Sequence, residues 1–173
     1  MAENTEPSTE EKIADALRAA PAFIAESATV VDRDMKTVLR KGTSEWTCVP
    51  SAPGAPWPNP MCNDPTMMQW LADVLHGRSP TIDRIGISYM LMGETGADFD
   101  HPELTRPPEG KDWYRVGPHV MFVFPQNAGD ITKGIGHDVS SGLPYVRPFK
   151  GAQPLLVVPI ALPNETIERK KAE

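Results

Sequence analysis

Between Cys48 and Cys62 the chain reads VPSAPGAPWPNPM, thirteen residues of which five are proline, and these are its only two cysteines. Each proline fixes its own φ and restricts the residue before it, so the course of this loop is partly set before the rest of the chain folds. Cysteine pairs that bind metal or cycle between redox states ordinarily sit about two to four residues apart. A gap of thirteen fits neither use, and no third cysteine exists to complete a metal site. The turn formers Ser51, Gly54 and Asn59 let the loop return on itself, and a disulfide needs the two Cα atoms within ~7 Å. Closing a loop of about 15 residues is worth ~3 kcal/mol in the chain-entropy account. Proline lowers the same unfolded-state entropy, so the two effects overlap. The alternative is a pair of buried free thiols, which are common inside cytosolic proteins. An even cysteine count at the ends of a loop suits an oxidising compartment. The sequence therefore predicts a Cys48–Cys62 disulfide in a protein exported to the periplasm or beyond.

Composition narrows the class. A chain of 173 residues that is 40% hydrophobic and 23% charged can bury one core. Its net charge of -6, with no basic stripe, argues against nucleic acid and against anionic membrane surfaces. No run approaches the ~20 apolar residues that cross a bilayer. Proline is the outlier: 19 residues, about twice the average usage of ~5%. With 13 glycines it predicts long, ordered, irregular loops. The start, MAENTEPSTEE, has neither the positive region nor the apolar stretch of a secretory leader. That leaves two readings, a cytosolic protein or an exported one whose leader lies outside this chain, and the cysteines favour the second.

Ser8 with Glu11 forms a capping box, followed by Ile13, Ala16, Leu17, Ala20 and Ile24 at helical spacing, with Pro21 marking a kink or a second short turn. Residues 28–31, 36–42 and 45–50 read as a small meander of strands, the last two joined by a tight turn at Gly42-Thr43-Ser44 that delivers Cys48 to the proline loop. Asp64-Pro65 is an N-cap and first helical residue. Met67, Trp70, Leu71, Val74 and Leu75 then make one apolar face, and Gly77 ends the helix. Such a methionine and aromatic stripe is a core face far more often than a cofactor box. IGISYMLMG, HVMFVFP and LLVVPIA read as strands, the last with Pro159 at an edge or bulge. Residues 94–118 and 126–154 read as long loops. The predicted fold is α+β: a mostly antiparallel sheet of about six strands with two helices on one face. The predicted layout is a flexible segment over 1–11, one domain over 12–163 and a charged tail over 164–173 whose end, ERKKAE, frays.

The long loops carry most of the chemistry-bearing residues. Asp98, Asp100, His101 and Glu103 fall within six residues. Such oxygens could hold calcium, and with the imidazole a transition metal, although the EF-hand spacing is absent. The plainer reading is a solvated acidic turn. His119 follows the rigid Gly117-Pro118 at the head of a strand, a place that suits a base or ligand as well as a structural hydrogen bond. His137-Asp138 lies in a glycine-rich loop and reads as surface. Convergence of His101, His119 and His137 with loop carboxylates would make a site for a divalent metal cofactor. His119, His101 and Asp100 are then the catalytic candidates. His76 suits a helix C-terminus. No nucleophile elbow, zinc-protease helix or nucleotide-binding loop occurs.

The segments GTSEWTC, PMCND, MMQW, ISYMLMG and GPHVM, with the matched positions at Gly42–Cys48, Pro60–Asp64, Tyr89–Leu91 and Gly117–Met121, resemble a family of uncharacterised exported bacterial proteins. The resemblance spans roughly residues 12–161. It implies export, strengthens the expectation of the disulfide and brings no activity. Family members carry a further histidine in the last strand after a G-T-P-Y-like turn, where this chain has Gly151-Ala152-Gln153-Pro154-Leu155. That departure counts against metal chemistry carried over from the family. Taken together, the sequence points first to an exported domain binding a small molecule or a protein partner. Behind it stand a metal-dependent hydrolytic or oxidative enzyme built on His119 and His101, and an assembly role through a strand edge or the Trp57 loop.

Overall fold

A computed structural model describes residues 6–98, 101, 104–149, 151–160 and, through their backbone, 167–170. Among these residues three α-helices, α1 (Thr9–Leu17), α2 (Ala22–Ala25) and α3 (Pro65–Leu75), accompany eleven strands. The first eight strands are β1 (Thr29–Val31), β2 (Val38–Arg40), β3 (Thr47–Val49), β4 (Met61–Asn63), β5 (Gly86–Met90), β6 (Glu94–Gly96), β7 (Trp113–Val116) and β8 (His119–Val123). β9 (Tyr145–Arg147), β10 (Leu155–Pro159) and β11 (Ile167–Lys170) complete the set. The class is α+β, as the sequence predicts. The sheet is larger than predicted: eight strands in the order β2-β1-β3-β4-β5-β8-β10-β9, beside a second sheet ordered β11-β7-β6.

The helix boundaries follow their local signals. Ser8 Oγ accepts from the Glu11 amide and Glu11 Oε2 accepts from the Ser8 amide, closing the capping box. Pro21 ends the first helical path and opens α2. Asp64 accepts from the Met67 amide at 2.7 Å, with Pro65 in the first turn. Gly77 follows α3 at φ 67°, the left-handed conformation that terminates helices.

Three strand expectations are corrected. Residues 28–50 do not form a meander: β1 pairs antiparallel with β2 on one side and parallel with β3 on the other. The chain therefore passes β1 between β2 and β3. Gly42 permits the passage, because a Cβ there would lie 2.3 Å from the Ala28 carbonyl carbon. The Thr43 and Ser44 amides both donate to the Ser27 carbonyl at this crossing. Second, the stretches read as loops contain strands: β6 and β7 within 94–118, and β9 within 126–154. Third, β11 lies within the tail expected to fray, and pairs with β7. α1 likewise begins inside the segment read as flexible.

The two principal helices cover opposite faces of the large sheet rather than one. Side chains alternate along strands, and the register aligns Val30, Cys48, Cys62 and Tyr89 on one face. These pack with Ala16, Leu17 and Ala20 of the α1 region. Asn63, Ser88, Met121, Val157 and Tyr145 align on the other face. There Met67 and Trp70 of α3 join Val123, Tyr145, Leu155 and Val157 in a second core. An amphipathic helix shows which of its own sides is buried but not which sheet face receives it.

The small sheet is a bent continuation of the large one. β5 runs through Gly93 into β6, and β7 runs through Gly117-Pro118 into β8. Gly93 has φ 84°, and a Cβ on it would meet the Val116 carbonyl oxygen at 2.2 Å. The corner requires glycine for both reasons. Pro159 lies on the interior strand β10 but beyond the end of its pairing with β9, which stops at Val157.

Candidate functional site: a cavity between the two sheets

Folding the small sheet over the face that bears α3 leaves a cavity of about 760 Å³. Its floor is Met61, Asn63, Ser88, Met90, Met121 and Leu155 of the large sheet. α3 supplies Met67, Trp70, Leu71, Val74 and Leu75, and the small sheet supplies Glu94, Thr95 and Trp113. The proline loop contributes Ala52–Ala55 and Asn59, with Arg33 beside them and Leu104–Arg106 among the remaining walls. The volume lies within the ~300–1,000 Å³ of small-molecule sites, and the mixture of an apolar wall with few polar groups is theirs too.

The proline loop is held rigidly as one wall. Cys48 and Cys62 are directly opposed on β3 and β4, with Cα atoms 3.9 Å apart, and form the predicted disulfide. Both are fully buried under α1. Inside the loop the Ala52 amide donates to Asn59 Oδ1 at 2.8 Å, and the Asn59 amide donates to Ser51 Oγ at 2.9 Å. The Ser51 amide donates to Asp15 of α1, and Thr95 Oγ1 of the small sheet donates to the Trp57 carbonyl. The loop thus bridges α1 and the small sheet.

An ion pair closes the other side. Arg147 Nη1 on β9 donates to Glu94 Oε1 on β6 at 2.6 Å, and its Nη2 donates to Tyr114 Oη on β7. Burial pushes the Glu94 carboxyl up, but the Arg147 charge and its hydrogen bond hold it below its ordinary value. Burial works against the Arg147 cation, and Glu94 outweighs it, so Arg147 stays charged. Burial, with the Glu94 charge behind it, raises the hydroxyls of Tyr114 and Tyr145, keeping both neutral.

The predicted chemistry-bearing residues separate. His119 sits at the bend between the sheets, fully buried, with Nδ1 2.8 Å from the Gly117 carbonyl oxygen. Burial lowers its pKa, so the ring is neutral, and a neutral ring that donates from Nδ1 carries its lone pair on Nε2. That Nε2 has no hydrogen-bond partner among the described residues. His119 stands near Glu94 but is not itself a wall of the cavity. His101 is exposed, and its amide donates to Asp98. Asp98 is buried and accepts from Lys111 Nζ at 2.6 Å. His137 is exposed, with Nδ1 3.2 Å from the Val146 carbonyl oxygen. Asp100 and Glu103 lie outside the described residues. Among the described residues no group of three or more His, Cys, Asp or Glu side chains is placed to hold a metal ion. None of their helices is long and apolar enough to cross a membrane.

No family model, curated protein or solved structure matches this chain. The site must therefore be read from its own residues. Sequence reasoning missed Asn63, Ser88, Glu94 and Arg147. The available signal was polarity inside strand-like runs, namely Asn in PMCND, Ser in GISYM and Arg in PYVRPF. A polar residue that a strand pattern buries needs a partner or a ligand.

Proposed function

We propose that this domain binds a small, largely apolar molecule in the cavity between its two sheets, and that it does so outside the cytoplasm. The observation that carries the binding reading is the cavity itself. An apolar space of about 760 Å³ is framed by a disulfide-anchored loop on one side and a buried Glu94–Arg147 pair on the other. Interiors are ordinarily packed to crystal-like density, so a space of this size held open by rigid elements is a binding feature. The four methionines on its walls, Met61, Met67, Met90 and Met121, are unbranched and polarisable, and adapt to the shape of an apolar guest. The disulfide and the resemblance to exported bacterial proteins support the location.

The test is a melting-temperature screen against a panel of small neutral molecules, run on the parent and on Met121→Trp. The larger side chain fills the floor from a strand position already facing the space. Compounds that raise the melting temperature of the parent should fail to raise that of the variant. Equal shifts in both proteins, or no shift in either, would remove the cavity as the binding site.

A further inference from the structure

Resting on the reading of the cavity as a ligand site, we infer that its ligand carries a neutral group able both to donate and to accept a hydrogen bond, a hydroxyl or an amide. Three cavity residues hold buried polar atoms with no hydrogen-bond partner among the described residues: Asn63 Oδ1, Ser88 Oγ and Trp70 Nε1. Asn63 and Ser88 are fully buried and Trp70 is 2% exposed. Buried polar side chains are nearly always paired. Three orphans around one apolar space therefore set the chemistry of what fills it.

The register makes the first two a unit. Asn63 on β4 and Ser88 on β5 are directly opposed, so their side chains leave the same face side by side. The Asn63 amide nitrogen is engaged with Met68 Sδ at 3.5 Å, which leaves its oxygen as the acceptor. The Ser88 hydroxyl donates or accepts, and the Trp70 indole on α3 only donates. The set offers an acceptor, a donor and one group of either kind. A hydrocarbon would satisfy none of them. A carboxylate would accept from Ser88 and Trp70 but face the Asn63 oxygen with its own. A hydroxyl or an amide answers both polarities. The remaining walls, Met90, Met121 and Leu155 among them, take an apolar body.

The experiment is equilibrium dialysis of the full chain with 2-naphthol, naphthalene and 2-naphthoate, on the parent and on Asn63→Leu/Ser88→Ala. In the parent, 2-naphthol should bind at least about tenfold more tightly than either comparison, the worth of one net hydrogen bond at the upper end of its usual range. In the double variant that preference should vanish, with naphthalene bound as well as before or better. The variant should melt close to the parent, because two unpaired buried oxygens are removed and only the weak Asn63–Met68 contact is given up. If all three probes bind the parent alike, or the preference survives in the variant, the inference is overturned while the cavity stands. If a variant that has lost the preference also melts far below the parent, the two residues are structural and the inference is overturned too. If none of the probes binds the parent, both the inference and the cavity reading fall.

Discussion

Arg147, near the edge of the large sheet on β9, reaches over that sheet to meet Glu94 on β6 at 2.6 Å, and both side chains are largely buried. This contact holds the small sheet down as the far wall of the cavity. It also joins the two long segments, 94–118 and 126–154, that the sequence left as separate loops. Removing one partner of a buried pair leaves the other charge uncompensated, which costs about 3–5 kcal/mol. Arg147→Met should therefore lower stability in urea unfolding by that amount. Arg147→Met with Glu94→Gln should recover most of it. A loss in the double variant equal to or larger than that of Arg147→Met would show that the pair is not acting as a coupled unit.

Gly96 and Tyr114 are cross-strand neighbours in the small sheet, and the tyrosine ring lies across the glycine. A Cβ at Gly96 would sit 2.1 Å from Tyr114 Cζ and 2.3 Å from its Oη. Gly96→Ala must push the ring away from Arg147 and should cost about 1–3 kcal/mol, the usual scale of overpacking. With Tyr114→Ala already present the same change should cost little, a coupling that a double-mutant cycle reads directly. Additive costs would mean that the ring does not set the requirement for glycine.

The disulfide joins directly opposed strands beneath α1. Replacing both cysteines by alanine should lower stability by about 3 kcal/mol, reduced to the extent that the prolines already restrain the unfolded loop. Folded protein should resist thiol alkylation completely, and reduction in denaturant followed by mass spectrometry should add two hydrogen atoms. Free thiols reacting without a reductant would refute the bridge.

Two groups give stability a pH dependence in separate windows. His119 has a folded pKa held below its ordinary 6.5 by burial. Below pH 6.5 the unfolded chain binds a proton that the folded chain refuses, so stability falls as pH drops, by at most about 1.4 kcal/mol per pH unit. His119→Gln should flatten that slope. Asp73 accepts from the Thr81 amide, Arg78, Gln69 and the Thr81 hydroxyl, led by the Thr81 amide, and lies well below its ordinary 3.8. Its contribution is whole above pH 3.8 and is lost as acid protonates it. Asp73→Asn should remove stability at neutral pH and weaken the fall below pH 3.8, as urea unfolding across pH would record. A His119→Gln protein with an unchanged slope between pH 5 and 6.5 would mean that another group titrates there.

What the sequence determined by itself is local. Ser8 with Glu11 and Asp64 with Pro65 placed two helix starts, because a cap needs only residues within one turn. The apolar runs containing Ser88 and Met121 marked two interior strands, and the proline-stiffened interval between two lone cysteines marked the disulfide. What the tertiary structure decided is everything that depends on pairing across the chain. β1 takes a parallel neighbour, α1 and α3 go to opposite faces, and His101, His119 and His137 separate while Asn63, Ser88, Glu94 and Arg147 come together around one space. The physical reason is that capping, turn and periodicity signals act over a few residues. A strand's register, and therefore the face each polar side chain occupies, is set by partners tens of residues away, and Arg147 finds Glu94 across 53 residues.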